Sequence, residues 1–153
     1  MSTDQLRALP DGYVYKASPP PLDDYVNLRI VTGLTPKTAE QGRRALAGSW
    51  CTCHIIREGQ SGAQVVGMGR IIGDGGWYFH VADMAVHPDH QKKGLGDFIL
   101  GKLIERIEAE APDTPYINLI ADPPGVKLYA RHGFEETSTV GRRGIGMQRY
   151  RPT

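Results

Sequence analysis

The chain has 153 residues, enough for one hydrophobic core and too few for two ordinary domains. Its 18 basic and 17 acidic residues give a net charge of +1, which excludes a global electrostatic attraction to nucleic acid or to an anionic membrane. The apolar runs are far shorter than the roughly 20 residues that span a bilayer, and residues 1–10 contain no hydrophobic signal core. We therefore expect a cytoplasmic protein with a single domain over 1–153 and a flexible N-terminus at 1–10.

Two cysteines, Cys51 and Cys53, stand two positions apart in a strand-like stretch. They share one face of the predicted strand and lie too close along it for an ordinary disulfide. We expect them to be packing residues in a reducing compartment. Because His54 points to the opposite face, we predict no metal site here.

The N-terminal part begins with alternating residues at 13–17, which predict a short first strand. A helix is expected to follow and to end at Gly33, with Asp23 or Asp24 as its N-cap. Thr35-Pro36 predicts the start of a second helix, because proline is favoured in a first helical turn.

Three strands are predicted next, after the second helix ends near Gly48. Residues 50–57, 64–72 and 77–86 are strand-like and are separated by glycine-rich turns. Successive short turns favour hairpins. We therefore expect the second, third and fourth strands to be antiparallel.

The stretch 81–107 has the pattern of a strand, a loop and a helix. Pro88 ends the strand, and a buried helix face is predicted from apolar residues that recur every four positions, namely Leu95, Ile99, Leu103 and Ile107. Gly94 and Gly96 allow the backbone to approach a ligand at the positive end of that helix. This arrangement suits a pyrophosphate.

The remaining elements complete an α/β (α+β) fold with a mixed, mostly antiparallel sheet flanked by helices. Residues 116–121 form an apolar run that predicts a buried fifth strand parallel to the fourth, reached by a right-handed crossover. A helix over 124–132, a strand from Phe134 and a closing strand over 144–150 are expected to follow.

Two motifs resemble signatures of the GNAT superfamily of N-acetyltransferases. Residues 91–96, Gln-Lys-Lys-Gly-Leu-Gly, resemble its acetyl-CoA signature, Gln/Arg-x-x-Gly-x-Gly/Ala, and residues 128–134 resemble its Leu-Tyr-x-x-x-Gly-Phe signature. The order of the predicted elements also matches that family. The resemblance implies a single-domain GNAT fold whose fourth and fifth strands splay apart at a bulge in the fourth. It also implies an enzyme that uses acetyl-CoA.

The resemblance also implies which residues bind the coenzyme. In the family, the pantetheine arm pairs with the fourth strand, loop amides bind the pyrophosphate, and a later helix contributes further contacts. Carried onto this chain, these contacts fall on Met84, Ala85, Val86, Gln91, Lys92, Lys93, Gly94, Leu95, Gly96, Asp97, Asp122 and Tyr129. Lys92 and Lys93 either add charge at the rim of the site or form an ordinary solvated pair. Asp122 and Gly125 stand where the family often has Asn and Ala, which weakens the transfer at that helix start.

Three residues are candidates for proton transfer. His80 stands eleven positions before Gln91, where several members of the family place their base, and the alternative is a histidine bonded at a strand edge. Asp83 could act as the base, attract a cationic amine or form a structural salt bridge. Strict alternation would put His80, Ala82, Met84 and Val86 on one face and Asp83 on the other. Tyr129 matches the family's general acid for the departing thiolate, or packs as an ordinary aromatic.

The acceptor amine is expected to lie beside the first two helices and the loop between them. The candidate residues for this wall are Tyr25, Arg29, Leu34, Trp77 and Tyr78. Aromatic residues here favour a hydrophobic or aromatic amine, although they often belong to the core instead. Ala121-Asp122, Leu128-Tyr129, Gly133-Phe134 and Gly146-Met147 are also similar to serotonin N-acetyltransferase-like sequences, which ranks arylalkylamines above polyamines.

The function predicted from the sequence is acetyl transfer to a primary amine of a small molecule by direct attack in a ternary complex. Two alternatives stay open, a protein lysine or N-terminal acetyltransferase and an acyl-CoA sensor without catalysis. No metal, nucleic acid or membrane is expected as a partner. The sequence leaves the oligomeric state open, and a homodimer is one of the alternatives.

Overall fold

The computed structural model describes residues 8–138 and 144–149. Its elements are β1 (Tyr13–Lys16), α1 (Leu22–Val31), α2 (Ala39–Ala47), β2 (Cys51–Gly59), β3 (Gly62–Gly73), β4 (Tyr78–Val86), α3 (Leu95–Glu110), β5 (Tyr116–Leu119) and α4 (Val126–Arg131), with short 3₁₀ turns at Pro88–His90 and Pro123–Gly125. The chain forms two compact units, 1–120 with the sheet and α1 to α3, and 121–153 with α4. The single domain over 1–153 stays a prediction.

The sheet has the strand order β1-β2-β3-β4-β5. Neighbouring strands are antiparallel from β1 to β4, and β5 pairs with β4 in parallel. A parallel neighbour needs a long crossover, which α3 supplies. The predicted antiparallel set and the parallel fifth strand are both confirmed.

A bulge interrupts β4 where it pairs with β3. Met68 faces Ala85 and Arg70 faces Ala82, so two steps along β3 correspond to three along β4. Asp83 lies in this bulge with a left-handed φ of 55°. The pairing of β4 with β5 ends at Val81, although β4 continues for five more residues. The bulge in the fourth strand expected from the family resemblance is therefore present, and the splaying of the fourth and fifth strands stays a prediction.

The bulge also overturns the strict alternation predicted for β4. Ala85 packs with Tyr25, Leu28 and Met68 on the face of the sheet that α1 covers. The sulfur of Met84 instead lies on the opposite face, beside Gly69 and the side chains of α3. The extra residue shifts the alternation by one position, so the side chains of Ala82, Asp83 and Ala85 share the α1 face, and Met84 does not.

The helix α3 buries the predicted face. Leu95, Ile99, Leu103 and Ile107 are all buried, and Leu100 joins them. Burial of a large aliphatic side chain contributes about 1.5–3 kcal/mol, so this face anchors the start of α3 against the sheet. The end of the preceding loop is thereby held in place.

Both predicted helix starts are wrong. α1 begins at Leu22, so Asp23 and Asp24 lie in its first turn. Their negative charges interact favourably with the helix dipole there, but neither side chain caps the helix. α2 begins at Ala39 and not at Thr35-Pro36, because Thr38 and Gln41 form a capping box with hydrogen bonds of 3.1 and 3.0 Å. The predicted end near Gly48 is confirmed.

The predictions for the last strands also need correction. β5 has four residues and is only partly buried, and Ile120 beyond it is 74% exposed. Residues 134–138 and 144–149 form no strand, so the two closing strands are absent from the described part of the chain, and Tyr150 lies outside it. The apolar side chains of Ile145 and Met147 are exposed, so their burial does not drive strand pairing there.

Candidate active site

The loop after β4 is held at its start by hydrogen bonds from several directions. His87 N–H donates to the carbonyl of Val66 over 2.7 Å, and Gln91 Nε2 donates to the carbonyl of Val86 over 3.1 Å. The Tyr13 hydroxyl lies 2.8 Å from His90 Nδ1 and joins the turn to β1. The loop therefore leaves the sheet in a defined direction.

The end of the same loop has the geometry of an anion site. Gly94 occupies the N-cap position of α3 with a φ of 81°, and Lys92 also has a positive φ. The N–H groups of Leu95 and Gly96 are in the first turn of α3, where no intrahelical acceptor exists. Residues 91–94 are exposed. Outward amides at the positive end of a helix suit the diphosphate of a coenzyme.

The edge of β4 beyond Val81 offers a second feature suited to the coenzyme. β5 ends its pairing there, while β4 continues through Met84, Ala85 and Val86. Backbone N–H and C=O groups along such an edge can bond an extended ligand in the manner of an added strand. This is the region predicted to hold the pantetheine arm.

The side chain of His80 lies against Asn118 of β5. The two residues are direct partners in the parallel pairing, and His80 Nδ1 is 2.5 Å from the amide oxygen of Asn118. Since the amide oxygen can only accept, this contact favours the neutral tautomer that has its proton on Nδ1 and its lone pair on Nε2. Asn118 was missed by sequence reasoning because only the register of β4 with β5 places it there.

Asp83 lies in a cluster of charged and polar side chains. Its carboxylate accepts hydrogen bonds from the Tyr25 hydroxyl, from Arg29 Nη1 and, over 2.6 Å, from Arg70 Nε. Burial raises the pKa of Asp83, but the Tyr25 hydrogen bond and the charges of Arg70 and Arg29 outweigh it and hold that pKa below its ordinary value. Asp83 is therefore ionised, and its two oxygens already accept three hydrogen bonds. This is the arrangement that the salt-bridge alternative predicts.

The five residues predicted for the acceptor wall separate into two groups. Tyr25 and Arg29 are 2% and 8% exposed, and Leu34 packs against the same core. Trp77 is 59% exposed. The ring of Tyr78 packs edge-to-face with the ring of Trp77 and with that of Tyr116, and each pair of centroids is 5.3 Å apart. Only Trp77 and Tyr78 are thus available on an open surface.

This aromatic surface, made of Trp77, Tyr78 and Tyr116, adjoins His80. Tyr78 and His80 are two positions apart on β4 and point to one face, and Tyr116 and Asn118 are their partners on β5. An imidazole whose Nε2 has no hydrogen-bond partner among the described residues therefore stands next to exposed aromatic rings.

The unit 121–153 contains the second motif. Gly133 has a φ of 84°, and the N–H groups of Gly133 and Phe134 donate to the carbonyls of Ala130 and Tyr129, which ends α4. The ring of Tyr129 packs edge-to-face with Phe134 at 6.0 Å. The glycine of the motif is explained by this helix ending.

The phenol of Tyr129 is well suited to hold a proton. Burial, followed by the charge of Asp122, raises the pKa of Tyr129 above its ordinary value. A ring carbon of Tyr129 would lie 3.0 Å from a Cβ at position 125, so Gly125 provides space for it. The group is therefore protonated at neutral pH.

The start of β2 carries two cysteines and one histidine. Burial raises the pKa of Cys51 to about 11 and that of Cys53 to about 12, and both are free thiols. His54 lies on the other face, with Nδ1 2.7 Å from the carbonyl of Ser18. Across residues 8–138 and 144–149, no three His, Cys, Asp or Glu side chains are placed to hold a metal ion. Nor is any helix in those ranges long and apolar enough to cross a membrane.

The bulge of β4, the end of its pairing with β5 at Val81 and the glycine-capped helix α3 are features expected of a domain that binds an acyl coenzyme. A family model for the acetyltransferase (GNAT) domain matches residues 40–152. The chain therefore belongs to the GNAT acetyltransferase family. Enzymes of this family bind acetyl-CoA as acetyl donor together with an acceptor.

Similar proteins agree with this assignment. A probable acetyltransferase from meticillin-resistant Staphylococcus aureus is 32% identical and superposes with a TM-score of 0.80, over 91% of this chain and 99% of that one. The uncharacterised N-acetyltransferase ycf52 of Porphyra purpurea is 28% identical over 67% of this chain, which spans 58% of its length. A histone acetyltransferase, TAP1, of Glycine max is 33% identical over 54% of this chain and 37% of its own length.

Proposed function

We propose that this protein transfers the acetyl group of acetyl-CoA to the primary amine of a small molecule with an aromatic group, such as an arylalkylamine. The observation that carries the proposal is the free Nε2 of His80 beside the aromatic surface. Aromatic rings favour ring stacking and attract a cationic amine, which are the properties of such an acceptor. Two reduced cysteines suit a cytoplasmic enzyme.

The residues then have separate roles in one direct step. His80 Nε2 takes a proton from the amine, whose nitrogen attacks the thioester carbonyl carbon. The C–N bond forms and the C–S bond breaks, and the electron pair leaves with the coenzyme sulfur. Tyr129 donates its phenolic proton to that sulfur. No covalent enzyme intermediate is formed.

The proposed coenzyme contacts follow the two features of the 1–120 unit. The backbone of Met84, Ala85 and Val86 would pair with the pantetheine arm along the edge of β4 beyond Val81. The diphosphate would bind the amides of residues 91–97, with Lys92 and Lys93 at the rim. Asp122 is the coenzyme contact with the weakest support, because the family often has Asn there.

A role of Asp83 as the base is less well supported. Its two oxygens accept three hydrogen bonds, and a carboxylate with a lowered pKa is a weak proton acceptor. Tyr25 and Arg29 both donate hydrogen bonds to Asp83. We therefore propose that His80 alone acts as the base and that Trp77 and Tyr78 contact the acceptor.

A protein acetyltransferase is the second candidate. The aromatic surface is open, as a peptide would require, and the likeness to a histone acetyltransferase of Glycine max points the same way. A lysine or N-terminal amine would use the same base. The two candidates therefore differ in acceptor and not in chemistry.

A panel of acceptors tests the proposal. Purified protein and acetyl-CoA are mixed with 2-phenylethylamine, tryptamine, spermidine, amino acids, aminoglycosides or histone-tail peptides, and thiol release is followed. We expect release with the first two amines and none without an acceptor. Release only with peptides would establish the second candidate. No release with any acceptor, despite tight acetyl-CoA binding, would indicate a sensor.

A further inference from the structure

His80 has a different kind of neighbour on each of the two adjacent strands. On β5 its direct partner is Asn118, whose amide oxygen is 2.5 Å from Nδ1. On β3 its direct partner in the antiparallel register is Ile72. Residues directly opposite in an antiparallel pair point to the same face, with Cβ atoms about 4.5–5.5 Å apart. An aliphatic side chain therefore stands beside the imidazole, on the side away from Asn118.

Ile72 is apolar but is not part of the core. It is 43% exposed, whereas Ile71 before it is fully buried on the opposite face of the sheet. The exposed rings of Tyr78 and Tyr116 lie in the next row of the same face. Exposed apolar side chains that adjoin one another mark contact sites, unlike isolated ones. Ile72 therefore extends the aromatic surface past His80 and onto β3.

The charged residues two positions before and after Ile72 already have partners. Arg70 Nε donates to the carboxylate of Asp83 over 2.6 Å. Asp74 Oδ1 accepts hydrogen bonds from the backbone N–H groups of residues 76–78 over 2.8–3.1 Å. Backbone hydrogen bonds, that with Tyr78 first, hold the pKa of Asp74 below its ordinary value, so this carboxylate is charged at neutral pH.

A carboxylate next to the reacting amine would be poorly accommodated at this place. In an amino acid the carboxylate carbon is two bonds from the amine nitrogen, so it must lie among the neighbours of His80 when that nitrogen reaches Nε2. Ile72 offers it no hydrogen bond, Asn118 carries no charge to offset it, and Asp74 repels it. An amine without a carboxylate presents only CH₂ groups there, and these pack favourably on an aliphatic side chain.

We propose that Ile72 is a specificity-determining residue that selects acceptor amines without a carboxylate on the carbon that bears the nitrogen. The side chain packs on the carbon chain of an arylalkylamine and leaves a carboxylate without a partner, so it favours one acceptor and disfavours the other. This inference rests on the proposed function and deepens it, because it separates arylalkylamines from aromatic amino acids.

The acceptors 2-phenylethylamine and phenylalanine test this selection, because they differ only by the carboxylate. For the wild type, Ile72→Arg and Ile30→Arg, kcat/KM with each acceptor is measured by thiol release, and the Kd of acetyl-CoA by calorimetry. Ile72→Arg introduces a guanidinium beside His80 that can bind a carboxylate through two hydrogen bonds. Ile30→Arg is the matched control, since Ile30 is an exposed isoleucine on α1.

The wild type should have a kcat/KM at least about 100-fold higher for 2-phenylethylamine than for phenylalanine. In Ile72→Arg, kcat/KM for phenylalanine should rise at least about tenfold above the wild-type value, while that for 2-phenylethylamine should fall. Ile30→Arg should keep both wild-type values. A merely structural role of Ile72 would lower both values in Ile72→Arg and would raise neither.

Equal use of the two acceptors by the wild type would overturn the inference, whether or not the variants fold. An Ile72→Arg protein that binds acetyl-CoA with the wild-type Kd but gains no activity with phenylalanine would also overturn it. Failure of the proposed function looks different, because the wild type would then acetylate neither acceptor.

Discussion

At the residue scale, the His80–Asn118 pair determines which nitrogen of the imidazole can accept a proton. Asn118 occupies Nδ1, so Nε2 is the only basic position. A carboxylate base at this position would have no tautomers, so it would not need a neighbouring acceptor to select one. The amide of Asn118 is therefore part of the proposed base.

Replacing His80 by Gln should lower kcat/KM for the best amine of the panel by about 10²–10⁴, the usual contribution of a general base. Asn118→Ala keeps the imidazole but frees Nδ1, and it should give a smaller loss. A kcat/KM unchanged by His80→Gln would show that another group takes the proton.

Tyr129→Phe should lower turnover and leave the Kd of acetyl-CoA within about twofold. Only the hydroxyl is removed, while the ring that packs on Phe134 remains. Stopped-time thiol release and calorimetric titration measure the two quantities. Full turnover by this variant would exclude the phenol as the acid.

Asp83→Asn should destabilise the protein by about 3–5 kcal/mol, because two buried arginines lose their counter-charge. The folded pKa of Asp83 is depressed, so its stabilisation is present above the ordinary value of 3.8 and is lost as the pH falls toward the folded pKa. Denaturant unfolding should therefore show the largest difference from wild type at pH 7 and a smaller one near pH 3.

Glu40→Gln is the control for that measurement, because Glu40 forms exposed ion pairs on α2. Solvent screens such pairs, so the variant should unfold almost like the wild type. A difference between Asp83→Asn and wild type that does not depend on pH would contradict the assigned ionisation.

At the element scale, the turn into α3 depends on the left-handed φ of Gly94. Gly94→Val should strain this turn and weaken acetyl-CoA binding at least about tenfold, because the amides of the loop move from their positions. Gly62→Val is the matched control, since Gly62 also has a positive φ and open space around its Cα but lies in the β2–β3 hairpin.

The Kd of acetyl-CoA, measured by titration calorimetry, compares the two glycine variants. Both should lose some stability, and only Gly94→Val should lose affinity. Equal affinity in the two variants would contradict the model in which loop amides hold the diphosphate.

At the scale of the whole molecule, acetyl-CoA binding should be coupled to folding. A ligand that binds only the folded state at 100 times its Kd adds about 2.7 kcal/mol of stability, which raises Tm by roughly 5–10 °C for a chain of this size. Differential scanning calorimetry checks this, with adenosine as a control that lacks the diphosphate and pantetheine. An unchanged Tm would contradict coenzyme binding by the folded chain.

Local patterns in the sequence are sufficient to predict much of this architecture. The apolar residues of α3 recur every four positions, and the strand and loop before it follow from Pro88 and Gly94, so these elements depend on neighbours in the sequence. The two motifs likewise predicted the family. Helix starts were less predictable, because Thr35 and Thr38 both resemble caps and only Thr38 has Gln41 three positions later.

Only the tertiary structure decided which distant side chains meet. The bulge at Asp83 changed the face of the sheet on which Met84 lies. The register of β4 with β5 brought Asn118 to His80, and packing of α1 on the sheet brought Arg29 to Asp83. Such contacts depend on strand register and helix packing, to which residues throughout the chain contribute. Periodicity along the sequence specifies which face of an element is buried, but it does not specify the partner that each polar side chain finds there.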